Sequence, residues 1–139
     1  MSYGYYITKG GEKGIIDENQ PQLHSCSITE VSLNVGIHEL NCSWNNLTEL
    51  VLPDRVKNLY CSNNKLTKII LCDGIEIVNC NCNQLTELII PEGILSLWCW
   101  GNQLSNITLP KSILHLYGDL GMMDITKYKH HIADIHLYV

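Results

Sequence analysis

Ile37-His38-Glu39-Leu40-Asn41-Cys42-Ser43-Trp44-Asn45-Asn46-Leu47-Thr48 and, 19 residues on, Val56-Lys57-Asn58-Leu59-Tyr60-Cys61-Ser62-Asn63-Asn64-Lys65-Leu66-Thr67 are two copies of one pattern. Two more copies follow without a gap, and self-similarity at a fixed period decides the architecture before any single element is assigned. Ile37, Val56, Ile75, Ile94 and Ile113 form one column, and Leu40, Leu59, Val78, Leu97 and Leu116 form the next. Cys42, Cys61, Cys80 and Cys99 recur at the third apolar site. Asn45, Asn64, Asn83 and Asn102 follow, then Leu47, Leu66, Leu85 and Leu104.

Within Leu59-Tyr60-Cys61 the alternation sends Leu59 and Cys61 inward and Tyr60 outward, which is the two-residue period of a strand. Successive coils then pair as a parallel sheet, and six strands at ~4.8 Å spacing give a face about 24 Å wide. Asn can donate and accept at once, so its column serves turn backbone groups that leave the sheet unpaired. After the turn, Leu50 and Leu52 point back inside, and too little chain remains before the next strand for a stable helix. The return segment is therefore expected to be extended or 3₁₀-like. Its outward residues read Glu49, Lys68 and Glu87, opposite charges that favour correct register by about 0.2–1 kcal/mol per pair.

These columns resemble the leucine-rich-repeat signature L-x-x-L-x-L-x-x-N-x-L, with Cys in place of the third Leu. The stretch Thr48-Glu49-Leu50-Val51-Leu52-Pro53 resembles the shortest repeat classes, of bacterial effectors and giant viruses, and the Ile, Asn, Lys and Tyr usage leans toward the viral group. The resemblance implies a mainly-β, right-handed leucine-rich-repeat solenoid with a parallel concave β-sheet and an extended or 3₁₀ convex side. One domain covers 1–139: an N-terminal cap at 1–22, a partial repeat at 23–36, regular repeats at 37–55, 56–74, 75–93 and 94–112, a degenerate repeat at 113–131 and a terminal strand at 132–139. Ile28–Leu33 fits the second half of an opening coil, whereas its first half, around Pro21 and Leu23, fits poorly. Tyr5–Thr8, Gly10–Gly14 and Ile15–Asp17 read as strand, turn and strand, a hairpin lid over the open end. Gly121-Met122-Met123-Asp124 breaks the pattern, which predicts a modified coil or short helix over 121–131.

Composition narrows the function. The 139 residues carry 9 basic and 14 acidic side chains, a formal net charge of -5, with no Lys/Arg cluster, so nucleic acid is not the expected partner. The N-terminus lacks a secretory pattern and no stretch reaches the ~20 apolar residues of a membrane span, so an intracellular, cytoplasmic protein (host cytoplasm if viral) with no membrane contact is expected. Seven cysteines without an export signal do not make a disulfide framework, and the periodic ones read as packing residues. Cys80-Asn81-Cys82 lacks a second matching pair for zinc, and Cys82 with His115 lacks an acid partner, so no metal, cofactor or catalysis is expected. His130-His131 reads as a solvated loop pair, and the sequons at Asn41, Asn46 and Asn106 as by-products of an Asn-rich repeat.

Two outward columns carry the functional signal. One reads Asn41, Tyr60, Asn79, Trp98, Tyr117 and His136, the other Ser43, Ser62, Asn81, Trp100, Asp119 and Tyr138. Trp98, Trp100, Tyr117 and Tyr138 crowd the C-terminal half, flanked by His115, His136 and Asp119, with Tyr60 further along. Exposed Trp and Tyr are enriched at binding hot spots, so a non-catalytic module binding a protein partner is the expected function. Homodimerisation through the last strand or this face, and carbohydrate binding on the aromatic patch, are the alternatives.

Overall fold

The computed structural model describes residues 2–17, 22–34, 36–105, 107–119, 128 and 130–138. Among the described residues eleven strands run in chain order: β1 (Ser2–Thr8), β2 (Lys13–Asp17), β3 (Ile28–Leu33), β4 (Glu39–Asn41), β5 (Glu49–Val51), β6 (Asn58–Tyr60), β7 (Lys68–Ile70), β8 (Ile77–Asn79), β9 (Ser96–Trp98), β10 (His115–Asp119) and β11 (Asp134–Tyr138). No helix forms among the described residues. The chain is a mainly-β solenoid whose principal sheet is six parallel strands in the order β11-β10-β9-β8-β6-β4.

The register is the repeat itself. Leu40 faces Leu59, Leu59 faces Val78, Val78 faces Leu97, and Leu97 faces Leu116, each pair 19 residues apart. Repetition at constant period therefore stacks like on like, and all five side chains are fully buried. Each buried Leu contributes roughly 1.5–3 kcal/mol relative to an exposed one, which opposes any slip of register. Cys42, Cys61, Cys80 and Cys99 stack behind them in the same core.

The Asn column joins each coil to the one before it. Asn83 Nδ2 donates to the carbonyls of Cys61 at 3.0 Å and Cys80 at 3.1 Å, while its Oδ1 accepts from the Leu66 N–H at 3.0 Å. Asn64 and Asn102 repeat this set one coil earlier and one coil later. Asn45 does the same for the opening coil, donating to Leu23 O at 2.7 Å and accepting from Ile28 N–H at 2.8 Å.

That opening coil is better formed than its sequence suggested. Leu23 occupies the position of the Cys column, is buried, and donates its N–H to Asn41 O at 2.7 Å; Gln22 bridges to Asn41 in parallel. The hairpin of β1 and β2 also does more than cover an end. Strand β1 pairs antiparallel with both β2 and β3, so the cap is a three-stranded sheet grown from the return segment of the first coil. Ile16 and Ile28 carry its inner face into the common core. A Cβ at Gly14 would overlap the Tyr6 ring, so any larger residue there has to displace that ring.

Left-handed residues recur at both corners of the coil. Ser25, Trp44, Asn63, Cys82 and Gly101 hold φ between 53° and 70° just before the Asn position, and Gly36, Arg55, Gly74 and Gly93 hold φ between 76° and 110° just before the next strand. Asn and Gly accept this conformation readily, whereas Trp44, Cys82 and Arg55 adopt it at a cost of about 1 kcal/mol or more each. The return segments are extended, with β5 and β7 forming a short parallel pair. Glu49 and Lys68 are register neighbours there, but the Lys/Glu ion pair among the described residues lies one corner away, between Lys57 Nζ and Glu76 Oε1 at 2.9 Å.

Most of the degenerate stretch expected at 121–131 lies outside the described residues. Its described end is a turn in which Tyr128, buried, accepts from His131 N–H and Ile132 N–H through its carbonyl. His131 is exposed and meets the Tyr128 ring edge-on at 5.9 Å, and His130 is exposed.

Candidate functional site

Three columns of side chains project from the principal sheet. Strand alternation places Glu39, Asn58, Ile77, Ser96, His115 and Asp134 in the first and Asn41, Tyr60, Asn79, Trp98, Tyr117 and His136 in the second. The third, read from sequence as outward, differs over its N-terminal half. Ser43 and Asn81 are only 7% and 8% exposed, because the chain is already bending into the left-handed corner at Trp44 and Cys82. Ser62 Oγ donates to Ser43 Oγ at 3.3 Å, and Asn81 Oδ1 accepts from the Trp100 N–H at 3.0 Å, so these polar groups are turned to internal bonding.

The second column holds an ordered ring stack. Trp98 and Tyr117 lie 5.1 Å apart between centroids at an interplanar angle of 6°, and Tyr117 and His136 lie 4.8 Å apart at 2°. The parallel register causes this: like positions on neighbouring strands are one strand spacing apart, which is also a favourable distance for offset rings. All three side chains remain partly or largely exposed. Tyr60, grouped with them from sequence, stands apart, since Asn79 on β8 separates it from Trp98. Asn79 Oδ1 accepts from the Asn81 N–H at 3.3 Å, as Asn41 Oδ1 does from the Ser43 N–H at 3.1 Å.

Around the stack, His115 Nδ1 and Asp134 Oδ2 meet at 2.9 Å across β10 and β11. Asp119 accepts from the Gly101 N–H at 3.1 and 2.9 Å through its two oxygens, closing the last regular corner. Trp100 is 38% exposed beside them. Tyr138 occupies the register position opposite Asp119 at the end of β11.

The thiols of the repeat column are poor nucleophiles. Burial pushes the Cys42 and Cys80 thiols up to about 12 and drives those of Cys61 and Cys99 upward as well, so all four are held protonated. Cys82, half-buried, is also raised, by burial first and by the Asp119 carboxylate second, which is the opposite of what a nucleophile needs. Among the described residues no group of His, Cys, Asp or Glu is placed to hold a metal ion.

A second exposed feature was not read from the sequence. Val51, Ile70 and Ile89 form a return-segment column that points to solvent, with Ile89 85% exposed. Open grooves of about 310 Å³ and about 500 Å³ flank this column, between 87–92 and 105–110 and between β3 and β5. The apolar doublets and triplets Leu50-Val51-Leu52 and Ile69-Ile70-Leu71 hide the signal, because alternation must expose one member of each run.

The chain matches no family model, no curated protein and no solved structure. The reading of its function therefore rests on the face itself.

Proposed function

We propose that the chain is a leucine-rich-repeat-type interaction module that binds a protein partner through the ring stack on its sheet face. The supporting observation is the exposed, mutually stacked Trp98, Tyr117 and His136 on a rigid ladder of strands. Such rings are already ordered, so a partner gains contact area at little conformational cost. A sugar stacks on an open ring face, and because Tyr117 is covered on both sides the stack leaves such a ligand only one face each of Trp98 and His136. The test compares capture of cross-linked partners by the wild type, by a Trp98→Ala, Tyr117→Ala double variant and by a Val51→Ser, Ile70→Ser control on the other side. Loss with the first variant alone supports the reading, and equal recovery by all three removes the face as the site.

Self-association is the second reading. It is favoured by the stack itself, whose partly exposed rings form a patch that a second copy can meet with its own. Light scattering over a hundredfold concentration range separates the two: a constant monomer mass rules out self-association.

A further inference from the structure

The column of the ring stack continues past Trp98 through Asn79 on β8 to Tyr60 on β6, so two aromatic residues flank a short polar one. We propose that the notch above Asn79, between Tyr60 and Trp98, is a receptor for an arginine side chain of the partner. The proposal rests on the face being a protein-binding site and names the chemistry it selects.

Because Trp98 lies parallel to Tyr117, one indole face is covered and the other turns toward the row occupied by Asn79 on β8. Tyr60 stands on the far side of that row. Tyr60 and Trp98 are two strand spacings apart, roughly 9.6 Å. A flat group placed midway sits about 4.8 Å from each, the same interval the ladder uses between Tyr117 and His136. The carboxamide of Asn79 is too short to fill this interval and forms its floor. Its Oδ1 takes one hydrogen bond from the Asn81 N–H and keeps a lone pair for another donor.

A guanidinium meets these conditions. It is planar, it is attracted to the faces of aromatic rings, and its N–H groups can donate to the Asn79 oxygen. The charge pattern agrees. No position in the three outward columns holds Lys or Arg, whereas Glu39, Asp119 and Asp134 are among them, so the face carries fixed negative charges and no fixed positive one. An ammonium group shares the charge but not the flat shape, so lysine is the poorer occupant.

The experiment titrates the full chain with three blocked tripeptides, Gly-Arg-Gly, Gly-Lys-Gly and Gly-Phe-Gly, and follows the indole N–H resonances of Trp98 and Trp100. The expected result is a saturable shift at Trp98 with the Arg peptide, at least about fivefold tighter than with the Lys peptide, the preference of a flat cation over a point charge. Asn79→Tyr, which puts a ring in the notch, should abolish the shift. Equal response to Arg and Lys, preference for the Phe peptide, no saturable shift with any peptide, or persistence of the shift in Asn79→Tyr would each overturn the proposal. Asn79→Tyr that still captures the cross-linked partner while Trp98→Ala, Tyr117→Ala does not would sink the notch and leave the binding face standing.

Discussion

Raising the pH from 8 to 10 should unfold this protein by a route that its core dictates. Cys42, Cys61, Cys80 and Cys99 are buried in one continuous column, where a thiolate has no water and no cation to stabilise it. Their ordinary value is 9.0, and burial raises Cys42 and Cys80 to about 12, with Cys61 and Cys99 raised as well. The unfolded chain gives up these protons above pH 9 and the folded chain keeps them. The stability they supply is thus complete below pH 9 and is lost as the pH climbs from 9 toward 12. At pH 10 each thiol costs about 1.4 kcal/mol, so the four together cost about 6 kcal/mol, comparable with the whole stability of a small domain. Urea titrations at pH 7, 8, 9 and 10 measure the loss. Lysines and tyrosines also titrate near pH 10, so the decisive comparison is a Cys61→Val, Cys80→Val variant, whose loss between pH 8 and 10 should be smaller by about 3 kcal/mol. Parallel curves for variant and wild type would refute the reasoning.

Three further outcomes follow from the same framework. Asn83→Ala leaves the Leu66 N–H without its partner and takes one of two amide donors from each of the Cys61 and Cys80 carbonyls, which keep Asn64 and Asn102, so a drop of about 2 kcal/mol in urea stability is expected, and Asn83→Asp, which turns an acceptor toward both carbonyls, should fare no better. A drop below about 1 kcal/mol would show that water replaces the amide. Arg55→Gly relieves a φ of 81° and should raise stability by about 1 kcal/mol, while Gly74→Ala at the equivalent corner should lower it; equal effects on thermal unfolding would contradict the assignment of strain. Maleimide should label exposed Cys26 at once and the four column thiols only after denaturant is added, as read by mass spectrometry; early labelling of Cys61 would mean that the coils open locally.

Much of the fold was legible because its information is local and repeated. Ile37, Leu40 and Cys42 recur at a constant interval, and alternation within three residues tells inside from outside, so the solenoid, its parallel register and the Asn column required no knowledge of distant contacts. The poor fit around Leu23 was misleading for the same reason: a capping coil is held by neighbours such as Asn41 and Asn45, not by its own pattern. The left-handed corners were not read from the sequence: glycines stand at 36, 74 and 93 in one of them, but Trp44 and Cys82 stand in the other, and neither residue advertises positive φ.

The sequence by itself determined the period, the buried columns and the list of aromatic residues on one face, because each follows from residue type and spacing. Only the tertiary structure decided which of those residues act together. It stacked Trp98, Tyr117 and His136, detached Tyr60 by the width of Asn79, turned Ser43 and Asn81 inward, and joined the hairpin to β3. The physical reason is that ring planes, corner dihedrals and the docking of a cap are settled by atoms on neighbouring coils. A single repeat read alone carries no record of them.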